Sequence, residues 1–235
     1  MCRILIFLAS LQFITIAQAQ FKNESQVSLI KSSGNADLET YNAESKSSYT
    51  FDKNTISANG EYTYGEADEI RSAESWEIQS RYDRKLIEEI SLFIAQSAAA
   101  NRFAGIQRQY NTDVGGKYTF YKSEVNTSLV EAGYRFTKEH KVIKIGKETE
   151  DSKARLYTET EHKFSSHFSA KAWFEYLPNF SESDDYQYSY EPSIIATLNS
   201  NFALKVAHKW EYDNQPAPGG QRRDKLFTTS LVANF

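Results

Sequence analysis

The chain has 235 residues, with 27 Lys and Arg against 31 Asp and Glu and a formal net charge of −4. This mild acidity, with no basic stripe, excludes nucleic acid as an expected partner. One cysteine, Cys2, rules out a disulfide framework or a thiolate metal site, and no stretch after Ala19 reaches the length of a membrane helix.

The first nineteen residues read as an export signal. Arg3 supplies a positive n-region, an apolar run covers 4–17, and Ala17-Gln18-Ala19 places small residues where a signal peptidase needs them. The run is shorter than the roughly 20 residues a spanning helix requires. Cys2 precedes the run, whereas a lipid-bearing cysteine would follow it, so no lipid anchor is expected. Cleavage after Ala19 would leave a mature barrel domain over 20–235.

That remainder alternates with period two between clusters of turn residues. About twelve strands are expected. The first covers 23–33 and ends in Ser33-Gly34-Asn35-Ala36-Asp37. The second, 38–51, puts Tyr41, Ala43, Tyr49 and Phe51 on one side, and the third, 55–65, puts Ile56, Tyr62 and Tyr64 together. A polar loop at 66–71 leads to the fourth, 72–85, with Trp76, Ile78 and Tyr82 in phase, and a turn leads to the fifth, 89–98, with Ile90, Leu92 and Ile94. The sixth spans 104–121; its Gly105, Gly115 and Gly116 suggest a bulge or a close backbone approach. The seventh, 124–137, aligns Val130, Ala132, Tyr134 and Phe136.

A long charged loop is expected over 138–153. The eighth strand follows at 154–164 and the ninth at 168–177, with Phe168, Phe174 and Tyr176 on one face. The tenth, 186–198, carries Tyr186, Tyr188, Tyr190 and Ile194, and Pro192 implies a local bulge because it lacks an N–H. The eleventh, 202–212, precedes a flexible loop over 213–223 that holds Pro216, Pro218, Gly219 and Gly220. The twelfth, 224–235, aligns Phe227, Leu231 and Phe235 and ends on an aromatic residue. A last strand of this form resembles the signal that barrel assembly machinery reads in bacterial outer-membrane proteins.

The fold class that follows is all-β: a closed antiparallel transmembrane β-barrel in an up-and-down meander. Fifteen Tyr, fifteen Phe and three Trp in so polar a chain suit a wet interior with aromatic girdles. Short connections alternate with longer, more polar ones, as periplasmic turns alternate with outer loops.

The face opposite the aromatics is crowded with charge: Glu44, Lys46, Glu61, Glu77, Arg81, Lys117, Glu131, Arg135, Arg155, Glu159, Glu161, Lys163, Lys171, Glu175, Glu191, Lys205, Lys209 and Glu211. A basic residue on the lipid-facing midplane costs about 2–4 kcal/mol, so these side chains are expected to line the lumen. Two exceptions, Arg108 and His162, fall on the aromatic face, with Arg108 expected at a bulge or the outer rim. Acids and bases nearly balance. The lumen is either a narrow wet channel without strong ion selectivity or a network of ion pairs that largely closes it.

Three segments carry a family resemblance. Ser28-Leu29-Ile30-Lys31-Ser32-Ser33-Gly34-Asn35, then Asn101-Arg102-Phe103-Ala104-Gly105 with Gly115-Gly116-Lys117-Tyr118, then Glu131-Ala132-Gly133-Tyr134-Arg135-Phe136 resemble strands of the salt-induced outer membrane protein family. The resemblance implies a barrel in the bacterial outer membrane, with lipid around it, and suggests a link to osmotic stress. It transfers no catalytic or ligand residues.

Signals for chemistry are thin. His167 and Ser169 share a strand face, as in an outer-membrane phospholipase, but sit at a turn with no oxyanion context. His140, His162, His167 and His208 are scattered, which gives no metal cluster, and no cofactor motif is present. The expected function is non-enzymatic: a narrow channel for a small solute or ion that tunes envelope permeability. The alternatives are a structural or receptor-like barrel with a closed lumen and partner-binding outer loops and, third, a lipid hydrolase.

Overall fold

The computed structural model describes residues 20–32, 38–141, 148–216 and 221–235. The expected export signal at 1–19, the turn at 33–37, and residues 142–147 and 217–220 of two expected loops lie outside the described residues.

Twelve strands form one closed antiparallel meander, each paired with its neighbours in sequence and β1 paired with β12. They are β1 (Gln20–Ser32), β2 (Leu38–Phe51), β3 (Asn54–Ala67), β4 (Ile70–Lys85), β5 (Ile90–Asn101) and β6 (Ile106–Lys122). The second half is β7 (Asn126–Lys141), β8 (Glu148–Lys163), β9 (Phe168–Pro178), β10 (Tyr186–Thr197), β11 (Phe202–Asp213) and β12 (Arg223–Asn234). Closure leaves no strand edge unpaired, which is the one way a sheet can satisfy its backbone without water. At the seam Glu24–Ser28 runs against Ser230–Asn234, and Asn23 and Phe235 exchange backbone hydrogen bonds of 2.8 and 2.9 Å.

The burial is inverted relative to a water-soluble domain. Buried positions include Asp113, Glu131, Arg155, Lys153, Asn42 and Ser230, whereas Val27, Ile78, Ile94, Leu156, Ile194 and Leu231 are exposed. The exposed aliphatics form a belt at mid-strand. Aromatic contacts gather toward both ends of it. Tyr188 stacks on Tyr212 at 4.8 Å and Tyr190 on Trp210 at 5.6 Å at one end; Phe164 meets Phe168 at 5.6 Å at the other.

Several expectations need correction. The loop at 66–71 is only the turn Asp68-Glu69; both residues have positive φ, 50° and 64°, which suits a tight hairpin. The charged 138–153 stretch is mostly strand: β7 runs on to Lys141 and β8 begins at Glu148, where cross-strand pairs such as Lys138–Glu148 hold its charges together. Pro192 interrupts the pairing with β11, which skips Glu191 and Pro192, but makes no bulge, since neither register shifts there. The bulges fall instead at Gly65/Glu66, Ala99/Asn101, Ile106/Arg108 and Thr119/Tyr121, and Arg108 sits beside one of them as expected. Gly105, with φ of 76°, belongs to the β5–β6 turn rather than to a strand.

Candidate functional site

The site is the interior of the barrel. Its position follows from one observation: Arg81 of β4 bonds Glu131 of β7 at 2.7 and 3.0 Å, although β5 and β6 lie between those strands. A bond that skips two strands must pass through the lumen. Residues in phase with Arg81 and Glu131 therefore face inward, and the aromatic-rich phase faces outward.

The inward charges form a continuous chain of alternating sign. Lys117 reaches Asp83 at 3.1 Å, and Arg81 grips Asp83 through two nitrogens at 2.8 Å. Glu131 accepts from both Arg81 and Arg155, the latter at 2.7 Å. Arg155 donates onward to Glu175 at 2.6 Å. Arg135 lies 3.5 Å from Glu175 and holds Asp113 in a fork at 2.7 and 2.8 Å. Each guanidinium offers several donors in a rigid plane, so one arginine can bridge two carboxylates. Five strands supply these side chains.

Local architecture makes room for them. β5 turns Phe93, Ala95 and Ser97 inward, and β6 turns Gly115 inward beside Gly133 of β7. A Cβ on Gly115 would lie 2.6 Å from the Ala132 carbonyl and 2.8 Å from the Phe93 ring. The absence of that carbon lets the Phe93 ring lie flat against the wall. Above it the Arg81 guanidinium stacks 4.0 Å from the ring centroid, with Arg155 at 5.7 Å.

Other expected lumen residues pair closer to home. Glu44 takes Lys46 at 2.7 Å and also Gln26; Glu191 takes Lys205 at 3.1 Å. Lys209 meets Glu211 at 3.0 Å and Lys171 meets Glu159 at 2.9 Å. Glu61 accepts from Asn42 at 3.2 Å and stands beside Glu77 in the register. Glu161 stands opposite Lys171, and Lys163 is exposed at the end of β8. Of the expected set, then, Arg81, Lys117, Glu131, Arg135, Arg155 and Glu175 come together, and the rest do not join them. Asp83, Asp113 and Phe93 belong to the cluster but were not among the expected residues. Their phase with Arg81, Lys117 and Ser91 is the signal that marks them.

A cavity of about 790 Å³ runs from the rim that bears Asn23, Asn201 and Phe235 inward to Arg81, Glu131 and Arg155. Tyr157 lines it and stacks on Trp173 with a centroid separation of 6.1 Å. Phe227, Leu231 and Phe235, the expected assembly signal, are exposed on the outer face. His167 Nδ1 lies 2.9 Å from the Ser166 hydroxyl, so its hydrogen bond goes to that neighbour.

No curated protein matches the chain. Among solved structures it is similar to the NanC porin, with a TM-score of 0.51 and 9% identity over 91% of this chain and 97% of that one. The KdgM porin aligns with a TM-score of 0.48 and 11% identity over 92% of this chain and 96% of that one. The likeness to the NanC porin is one of fold. A family model described as "Protein of unknown function, DUF481" matches residues 25–235, and the chain belongs to that family.

Proposed function

We propose that the protein is a non-enzymatic barrel of the bacterial outer membrane that passes ions and small solutes through a lumen narrowed at mid-height. The chain of ion pairs from Lys117 to Asp113 carries this reading. It occupies the interior on the β4–β9 side, and a barrel of twelve strands lies between the filled eight-stranded barrels and the open 16–18-stranded porins. A solute would pass between that chain and the pairs Glu191–Lys205, Lys209–Glu211 and Glu44–Lys46 carried by the opposite wall.

The membrane assignment rests on the outer face. Exposed Val, Ile and Leu on ten of the twelve strands, with aromatics toward the ends, suit lipid and not water. Export through a cleaved 1–19 segment, recognition of Phe227, Leu231 and Phe235 by the assembly machinery, and a role in envelope permeability under osmotic stress complete the proposal. The last of these rests on the resemblance to the salt-induced outer membrane protein family.

Conductance in planar bilayers tests it. The native barrel is expected to give small steps, and the paired change Arg81→Ser with Glu131→Ser is expected to enlarge them without leaving a lone buried charge. No current above background from either protein would remove the channel reading in favour of a sealed structural barrel.

A further inference from the structure

The lumen is not uniform in charge along its length, although its totals nearly balance. The cavity at the chain-terminal rim is lined by Lys22, Lys46, Arg81, Lys117, Arg155 and Lys171. Its acidic lining is Glu24, Glu131 and Glu159. Glu131 is shared by two arginines, and Glu159 is held by Lys171 and by the Tyr157 hydroxyl at 2.7 Å. The carboxylates that pair with Lys46 and Lys117 are Glu44 and Asp83, and neither lines the cavity. The opposite half of the interior carries Glu61, Glu77, Glu211, Asp213 and Asp224, with Lys209 paired to Glu211 and Arg135 to Asp113.

We infer that this rim-side cavity is a binding site for a small, hydroxyl-bearing organic anion. Cationic groups reach it from six different strands, β1, β2, β4, β6, β8 and β9, so an anion inside is surrounded rather than held at one wall. Partial exclusion of water strengthens each of those attractions relative to bulk solvent. Asn59, Gln79, Ser48 and Ser57 supply neutral donors and acceptors between the charges, and the buried side-chain oxygen Oδ1 of Asn59 has no hydrogen-bond partner. Tyr157 offers an aromatic surface at the inner end. Amines and guanidiniums select the anion; the amides and hydroxyls suit ligand hydroxyls.

This deepens the channel reading and rests on the same lumen, but binding is measured without current. Isothermal titration calorimetry of the purified barrel in detergent micelles would compare glucuronate with glucose, which differ by one carboxylate. Saturable heat with glucuronate and none with glucose is expected. Replacing three rim amines, Lys22→Gln, Lys46→Gln and Lys171→Gln, is expected to weaken glucuronate about tenfold, because each partly solvated charge contributes under about 1 kcal/mol. Glu211→Gln, remote from the cavity, is expected to leave binding intact.

On the native protein, affinity is expected to fall as salt is raised, which tests the idea even if the triple variant does not fold. Absent binding, equal binding of glucose, or an affinity indifferent to salt would overturn the assignment. Binding without conductance would overturn the channel reading alone, and conductance without binding would overturn this site alone.

Discussion

The guanidinium of Arg81 lies 4.0 Å from the centre of the Phe93 ring, inside the barrel and against a wall thinned by Gly115. An aromatic ring gives a buried cation a partner on a side where no carboxylate reaches it, an attraction of about 0.5–2 kcal/mol. The same guanidinium is bonded edge-on to Asp83 and Glu131, so its face and its edge are both used.

Gly115→Ala is therefore expected to destabilise the barrel. The new methyl would meet the Ala132 carbonyl at 2.6 Å, the Gly133 Cα at 2.8 Å and Phe93 at 2.8 Å. Two of these neighbours are backbone and cannot swing aside, so a cost of about 1–3 kcal/mol is expected for the overpacked site. Gly116→Ala points the other way, where the nearest atom is 3.9 Å off, and is expected to be neutral. Urea titrations of the two variants in the same lipid or detergent provide the comparison. Equal midpoints would show that the ring does not lie on Gly115.

Asp113→Ala should cost far more than the loss of one surface ion pair. Asp113 is only 4% exposed, and its removal leaves Arg135 with one hydrogen-bonded carboxylate, Glu175 at 3.5 Å. Breaking one side of a buried pair typically costs about 3–5 kcal/mol, because the remaining charge stays desolvated. Arg135→Met together with Asp113→Ala is expected to recover part of that loss. A double-mutant cycle measures the coupling; additive effects would mean that the two groups are not paired in the folded barrel.

The two faces of β10 respond oppositely to a new arginine. Ile194 is exposed on the outer belt, and Ile194→Arg is expected to cost about 2–4 kcal/mol if lipid lies against it. Ser189 stands between Glu175 and Glu211 in the register, so Ser189→Arg gains two carboxylate neighbours in the lumen and is expected to fold normally. Yield of heat-modifiable, folded protein on a gel distinguishes them. Tolerance at 194 with failure at 189 would reverse the assignment of inside and outside.

Closure of the cylinder can be tested at its seam. Val27 and Leu231 are cross-strand partners of β1 and β12, so cysteines placed at both positions are expected to form a disulfide under mild oxidation. Pairing Val27→Cys with Phe227→Cys, which is outside the β1 register, is expected to give none. Mass spectrometry of the digested, non-reduced protein reads the link. Its absence in the first variant would mean an open sheet.

All twelve strands could be found by reading every second residue. β2 spans 38–51 as expected, β9 differs by a residue at one end and β12 by a residue at each, whereas β1 begins three residues earlier than expected. Legibility failed where charge was taken as a sign of loop. At 138–141 and 148–153 the charges are strand residues: Lys138 pairs with Glu148 across the ladder, and Lys153 meets Asp185 of the β9–β10 connection. Polar composition marks exposure to water, and a strand that rises beyond the apolar belt meets water too. Asp83 and Asp113 were in phase with the lumen set, but composition gave no reason to rank them above other acids.

Alternation alone decides which side of each strand meets water, because successive side chains point to opposite faces and one face is too charged to meet lipid. That much is a local property of the chain, and so are the number of strands and their antiparallel order. Which lumen charges touch is not local. Arg81 and Glu131 lie fifty positions apart, and whether they meet depends on how far each strand is staggered against the next around a closed ring. Stagger accumulates over every register and bulge, so the contacts that link Lys117, Asp83, Arg81, Glu131, Arg155 and Glu175 belong to the assembled cylinder and to no single segment of it.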